Sequence, residues 1–529
     1  MSTGKTHHSS NLVKALILTI LLLGIVFRFA HIDKKNYWND EVYTSLRVAG
    51  YTYEQVEQAV VTNQPIGIDD LQRYQHSPTE RGLYDVMRSL LKEDAHIAPL
   101  YFVMTRLWTD IWGLTPLQTR MVAVMISLLA LPSMYWLSYE LFQSSAIAWI
   151  ATLLIAVSPL HVLYAQEARN YSLFAVSVLI SSAALLRALR IPTPFAWIGY
   201  AAAVAIALYS HMLSILVLLG HGLYVGLVHW WRQVNRYQGY TLAMLCSFAC
   251  FLPWILASDA IEEPRYVSTP MPLLTLVKRS LFNITVNFFD AQIFNRGQIF
   301  DAKFGDDSIQ LDILEPSFYV FTIFVLLSIY SLYFLIQNSL KHIHIFVIIL
   351  IATNILPLLL PDLLTNGQRF TITRYLIPAL LGVQLAIAYT LGFKLLNSKA
   401  SFGGKRIPEI GLIFLVFCGI SSCLVSMKAE TWWIKYSSYH DPRIAQIINK
   451  AASPIIVSGD VTRMISLSYL LEPKVQIILA SSETFPDIPD DVDNVFLYWP
   501  EERFTDYLEQ YYSDNKLEHQ LGQLWRLDI

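Results

Sequence analysis

"HIAPLYFVMTRLWTDIWG", residues 96–113, is apolar enough to suggest a membrane span, yet it is short and carries Thr105, Arg106, Thr109 and Asp110 where a crossing helix would meet hydrocarbon. A charged side chain at that depth costs about 3 kcal/mol on insertion scales, and a crossing needs ~20 mostly apolar residues. The stretch therefore reads as interfacial or re-entrant. Excluding it from the crossings puts Lys5, Arg187, Arg190, Arg232, Arg236, Lys341, Lys394, Lys399, Lys405 and Arg406 on the cytoplasmic side, as the positive-inside rule requires. Only Arg120, Arg169, Arg369 and Arg374 then face outward from short connections. Counting the stretch as a crossing would put nearly every later basic loop on the wrong side.

Working outward, apolar runs long enough to span recur from residue 12 to residue 427. About eleven spans are expected, near 12–30, 119–141, 146–163, 170–189, 194–210, 211–230, 240–258, 317–337, 343–361, 374–395 and 408–427. The first is too long for a removed signal peptide and lacks a small-residue cleavage site, so it reads as a retained anchor. Residues 31–118, the loop 259–316 and everything after 428 fall outside the cytoplasm. Composition agrees: of 529 residues 54% are hydrophobic and 15% charged, more apolar surface than one water-soluble core can bury. A net charge of −3 with no basic patch leaves no nucleic-acid signature. Cys246, Cys250, Cys418 and Cys423 all lie in apolar segments and read as small core hydrophobes.

The expected fold is thus an α-helical polytopic membrane protein with interfacial helices and a small C-terminal extracytoplasmic α/β domain. The division falls near residue 430, giving a membrane module over 1–430, with external loops 31–118 and 259–316, and a second domain over 431–529. In the tail "DPRIAQIINKA", "PIIVSG", "VTRMISLSYLL", "KVQIILA", "DNVFLYWP", "EERFTDYLEQYY" and "HQLGQLWRLDI" alternate helical and extended patterns. It has no glycine-rich phosphate loop and no nucleophile elbow. Asn170 and Asn283 head N-x-S/T triplets, patterns frequent by chance.

Polar residues collect at the outer ends of the spans. Asp40 and Glu41 follow the first span in "NYWNDEVYTSL"; Asp94 and His96 precede the interfacial stretch; "YAQEARNYSL" brings Glu167, Arg169 and Tyr171. "YSHML" adds Tyr209 and His211, and "QRFTITRYLIP" adds Arg369, Arg374 and Tyr375. Singly, each has a plain structural reading: Asp40 or Glu41 as a helix cap, Arg374 snorkelling to headgroups, His211 as a satisfied core histidine. As a set they mark function, because ionisable groups at membrane depth are costly. Acids on one side and cations on the other suit a group transfer in which a carboxylate takes a hydroxyl proton and cations hold an anionic leaving group. Nucleotide sugars are cytoplasmic, so the donor expected at an outer face is a lipid-phosphate sugar.

The order "NDE", "DAHIAPLYF", "LQTRMVAVMISLLALP", "SPLHVLYAQEARNYSLFA", "YSHML" and "TRYLIPALLG" resembles that of the integral-membrane GT-C glycosyltransferases. The resemblance is strongest to the branch holding protein O-mannosyltransferases and the transferase that adds 4-amino-4-deoxy-L-arabinose to lipid A; it covers residues 12 to 230 well and 343 to 395 more loosely. It implies a polyprenyl-phosphate-linked sugar donor, membrane lipids as surroundings, and a protein, lipid or glycan acceptor. It makes Asp40 the general base and has Glu41 bind or orient substrate. It sets His96, Arg169, Arg374 and Tyr375 at the donor phosphate, with Asp94, Glu167, Tyr171, Tyr209 and His211 as further substrate-binding candidates. Some relatives bind a divalent metal ion and others need none; His96, Glu167 and His211 are the candidate ligands. Where such enzymes commonly carry His-Pro-Pro-Leu, this chain has His96-Ile97-Ala98-Pro99-Leu100. Two alternatives stand beside this reading: a transporter of a lipid-linked or small polar substrate, and a polymerase or ligase of lipid-linked glycans.

Overall fold

The computed structural model describes residues 3–229, 234–258, 271–290, 316–397, 406–480, 494–500 and 517–527. Most of the loop 259–316, and the tail stretch "EERFTDYLEQYY", lie outside the described residues. The chain divides into two compact units, one of Met1–Ala30, His96–Tyr101 and Ala123–Lys428, the other of His31–Ala95, Phe102–Val122 and Ala429–Ile529. Most of the segment 31–118, assigned by sequence to the membrane module, thus groups with the tail.

The first unit is a multi-pass helical membrane module. Among the described residues eight helices are long and apolar enough to cross a membrane, or nine if a bent pair is one span. They are Asn11–Phe29, Pro116–Phe142, Tyr171–Arg190, Tyr237–Ala257, Phe318–Asn338, Lys341–Thr365, Thr373–Asn397 and Ile407–Ser438. The remaining expected spans are helical but broken or short. The run at 146–163 is two helices, Ser145–Ala156 and Pro159–Ala165, bent by 57°. Those at 194–210 and 211–230 are Pro194–Ser210 and Ser214–His229, of 17 and 16 residues. The sequence count of eleven includes all three because apolar character alone does not reveal a break or a short helix.

The bend needs its loose backbone groups satisfied, since lipid supplies no hydrogen bonds. Pro159 opens the second half and cannot donate a backbone N–H. Arg28, fully buried, donates to the carbonyls of Ile155 (3.1 Å) and Ala156 (2.7 Å), and to Gly24 on its own helix (2.7 Å). Gln166 returns the favour, donating to Phe27 O at 2.7 Å and Ala30 O at 2.9 Å. The first helix approaches closely because residue 24 is glycine: a Cβ there would lie 2.5 Å from Ala156 O.

The second unit is built on a six-stranded sheet. Its strands are β1 (Pro65–Ile66), β2 (Ile455–Ser458), β3 (Gln476–Leu479), β4 (Val495–Tyr498), β5 (Leu517–Leu521) and β6 (Leu524–Leu527), in spatial order β1-β3-β2-β4-β6-β5. β2 lies parallel between β3 and β4, while the outer pairings are antiparallel. Ile455, Val457, Ile478, Val495, Leu497 and Leu527 make one buried cluster in it. The continuous apolar runs of β2 and β4, buried at every position, are what a two-sided parallel core requires. The expected α/β tail is present, with a strand contributed by the first loop.

The helix Leu100–Trp112, most of which belongs to this unit, is 13 residues, about 20 Å at 1.5 Å per residue, too short for a ~30 Å hydrocarbon layer. Leu107, Ile111 and Trp112 are exposed, whereas Arg106 is buried, paired with Asp110 at 2.7 Å and donating to the carbonyls of Val48 (3.1 Å) and Arg81 (2.5 Å). One apolar face and one polar, protein-facing side are what an interfacial helix needs.

Candidate active site: a basic pocket and an acidic centre

In the membrane module a cavity of about 230 Å³ is lined by His96, Arg169, Tyr171, His211, Arg369, Arg374 and Tyr375, among others. Residues from four separated stretches of sequence thus meet at one place. Breaks between helices deliver them. Arg169 lies in the turn between Pro159–Ala165 and Tyr171–Arg190, His211 ends Pro194–Ser210, and Arg369 and Arg374 sit in consecutive 3₁₀ turns before Ile377–Asn397.

Tyr171 stands between two cations, with the Arg169 and Arg374 guanidinium carbons 5.9 and 5.6 Å from its ring centroid, and Arg374 also lies 5.8 Å from the Tyr375 ring. Arg369 is held by buried Asp362 at 3.2 Å, whose other oxygen accepts the Phe370 N–H at 2.7 Å. The His211 ring stacks on Phe174, centroids 4.2 Å apart, and its Nδ1 accepts the Leu213 N–H at 3.1 Å. A neutral imidazole with Nδ1 accepting carries its proton on Nε2, so His211 presents a donor. Three guanidinium groups and two imidazoles thus line one cavity, a set of hydrogen-bond donors whose chemistry suits an anion.

Glu167, buried one turn away, does not line this cavity, and neither does Tyr209, whose hydroxyl donates to Cys250 O at 2.8 Å. Among the described residues no three His, Cys, Asp or Glu side chains are grouped to hold a metal ion. His96 and His211 share the cavity with arginines, surroundings that suit an anion. The two N-x-S/T asparagines are structural: Asn170 donates to Ser210 O (2.8 Å), and Asn283 donates to Thr371 O (3.0 Å) and accepts from Thr373 (2.6 Å).

The acidic pair lies in the other unit, on the helix Asn39–Ala49. Both carboxylates are in its first turn, where the helix dipole favours negative charge, and Gly50 at φ 85° closes it with its N–H on Arg47 O. Their surroundings differ. Glu41 is fully buried and takes a bidentate grip from Arg120, Nε to Oε1 and Nη2 to Oε2, each 2.7 Å. Lys435 Nζ adds a third contact to Oε2 at 2.7 Å. Burial alone would raise the Glu41 carboxyl, but Arg120 and Lys435 outweigh it and hold the pKa down at about 2. Arg120 also donates to the carbonyls of Ile32 (2.7 Å), Lys35 (2.9 Å) and Asn36 (2.8 Å), pinning the segment that leads into the helix. Asp40 is half-buried, one residue earlier.

Asp94 is engaged by buried Arg47, Nε to Oδ2 at 2.6 Å, and Arg47 also reaches Glu93 at 2.7 Å. Sequence reasoning missed Lys435 altogether and gave Arg120 no role. Arg120 lies in the "LQTRMVAVM" block, but its partner is 79 residues away and that of Lys435 is 394. Only an arginine in a run of apolar residues hinted at a buried ion pair.

Residues 96–256 match the family model described as dolichyl-phosphate-mannose-protein mannosyltransferase. In structure the chain is similar to ArnT from Cupriavidus metallidurans bound to undecaprenyl phosphate, at 11% identity and a TM-score of 0.51, over 97% of this chain and 98% of that one. It is also similar to the apo oligosaccharyltransferase of Archaeoglobus fulgidus, at 12% identity and a TM-score of 0.50, over 88% of this chain and 64% of that one. No curated protein sequence matches. The many-helix membrane module with its small sheet therefore defines a GT-C-type integral-membrane glycosyltransferase fold. Within that class the matched segment and the ArnT likeness put the resemblance on the protein mannosyltransferase and ArnT branch.

Proposed function

We propose that the protein transfers a sugar from a polyprenyl-phosphate donor to an acceptor hydroxyl at the extracytoplasmic face of the membrane, by single displacement with inversion. The observation that carries the proposal is the anion-suited cavity of Arg169, Arg369, Arg374, His96 and His211. A sugar phosphate leaves as a phosphate monoester, and cations placed where that charge develops lower the barrier. Tyr375, with Arg374 against its ring, adds a hydroxyl to the same cavity. The similar ArnT was solved bound to undecaprenyl phosphate, the kind of leaving group this cavity would hold.

Asp40 is the general base: it accepts the proton of the acceptor hydroxyl as the oxygen attacks the anomeric carbon and the bond to phosphate breaks. Glu41, closed off by Arg120 and Lys435, is a positioning residue that fixes the turn on which Asp40 stands.

The experiment is single-turnover transfer from a synthetic polyprenyl-phosphate sugar by the purified chain, with products read by mass spectrometry. Transfer of one residue with inverted configuration, lost in Asp40→Asn and Arg374→Ala, supports the reading. Retained configuration would end the single displacement, chains of several residues would make the enzyme a polymerase, and vesicle flux without covalent product would make it a transporter.

A further inference from the structure

The second unit holds a cluster that the transfer chemistry above does not use. In the parallel trio β3-β2-β4 the chain leaves β2 for one neighbour, then passes to the other side for β4. The crevice beyond the carboxyl ends of β2 and β4 is therefore a topological switch point, where open α/β sheets bind ligands. Val457 pairs with Leu497, so Asp460 after β2 and Trp499 after β4 emerge at the same edge.

Arg463 lies flat on Trp499, its guanidinium carbon 3.6 Å from the ring centroid, and is fixed by Asp460 at 3.1 Å. Its Nε is buried and has no hydrogen-bond partner, a stranded donor of the kind a ligand satisfies. Trp499 sits at φ 49°, a left-handed conformation unusual for a large residue and often found where a side chain is held for binding.

Two aromatics of the first loop, Tyr43 and Tyr53, stand near Asp460 at this end of the sheet. Tyr43 bonds Thr462, and its phenol, raised to about 12 by burial and the nearby Asp460 carboxylate, is a donor at neutral pH. Tyr53 lies 6.3 Å from the Tyr43 ring, with its hydroxyl on Glu57 at 3.1 Å. Tyr43, Tyr53, Asp460, Arg463 and Trp499 are all partly exposed. Tyr43 also follows Asp40 by three residues on the same helix, so the two are neighbours on one face.

We infer that Tyr43, Tyr53, Asp460, Arg463 and Trp499 form a carbohydrate-binding subsite that holds the glycan portion of the acceptor. A sugar ring supplies hydroxyl oxygens for the Arg463 Nε–H, hydroxyl protons for the Tyr53 phenol oxygen and the Asp460 carboxylate, and an apolar C–H face for the aromatic rings. A peptide would instead need a sheet edge to extend, and both partners of β2 and β4 at this point are already strands of the sheet. The assignment of this glycan as acceptor rests on the proposed transferase reading; the binding itself does not.

The test is a glycan array probed with the detergent-solubilised full-length chain, alongside Trp499→Ala, Tyr53→Ala and Arg374→Ala, each checked for an unchanged thermal melt. The wild type should retain a defined set of glycans, with roughly tenfold weaker retention in Trp499→Ala and Tyr53→Ala, the size of one lost stacking contact, and no loss in Arg374→Ala. No glycan retained by the wild type, or equal retention by Trp499→Ala and Tyr53→Ala, overturns the subsite. So does a parallel array of Ser/Thr peptides that binds through Trp499 while the glycans do not. If Trp499→Ala melts early, Tyr53→Ala on its surface helix decides alone. Glycan binding without any transfer from a polyprenyl-phosphate sugar would leave the subsite standing and remove only the transferase reading.

Discussion

The basic pocket of the membrane module and the acidic centre of the second unit handle charge in opposite ways. In the pocket, Arg169 and Arg374 flank an aromatic ring beside an open cavity of about 230 Å³. In the acidic centre, Glu41, Arg120 and Lys435 neutralise one another with no exposed atoms to spare. A cavity that must receive a charged group keeps its cations reachable; a joint that must hold shape seals them in. Neighbouring residues 40 and 41 show the contrast at its shortest range, one half-exposed and one shut.

The largest expected effect falls on the half-buried member, Asp40. Asp40→Asn should lower turnover by about 10²–10⁴-fold with an unchanged melt, the usual loss for a general base; near-normal turnover would make Asp40 a cap and nothing more. Glu41→Gln should act on the joint instead, stranding two buried cations and costing about 3–5 kcal/mol of stability. A chemical melt of the variant checks it, and a variant as stable as wild type would undo the contrast between the two acids.

Arg374→Ala should weaken the affinity for polyprenyl phosphate by roughly 10–100-fold, the worth of a charge-assisted hydrogen bond of about 1.5–3 kcal/mol. Equal affinity, measured by tryptophan quenching or calorimetry, would show that Arg374 serves only the membrane surface.

The smallest effect is a pH signature of the second unit. Glu41 titrates ordinarily near 4.5 and is held at about 2, so its contribution is complete above pH 4.5 and vanishes as pH falls toward 2. Buried Asp441 has the opposite sign: burial, only partly offset by the Tyr498 hydroxyl at 2.8 Å and Ser466 at 3.3 Å, raises it from 3.8 to about 6. Its contribution is complete below pH 3.8 and is lost as pH rises through 6. Asp441→Asn should therefore flatten the melting temperature between pH 4 and 6 while leaving the acid limb intact. An unchanged slope there would show that Asp441 does not titrate in that window.

Much of this was legible from local pattern. Apolar runs located the membrane helices, and the tail strands fell where "PIIVSG", "KVQIILA" and "DNVFLYWP" place them, because buried strands are short β-branched and aromatic runs. The basic residues of the pocket were named because they stand at the ends of spans. What escaped were pairings of distant residues. β1 is two residues long, too short for any periodicity, and its partner β3 lies more than 400 positions away. The break after Ala156 was invisible because its loose carbonyls are answered by Arg28, on another helix.

The lysine at position 435 has a consequence for how the protein is made. The segment bearing the proposed base is locked by a side chain 394 positions later, which leaves the ribosome only after seven of the eight long apolar helices among the described residues have been synthesised. A truncated or stalled chain could insert its helices yet keep its acid turn loose.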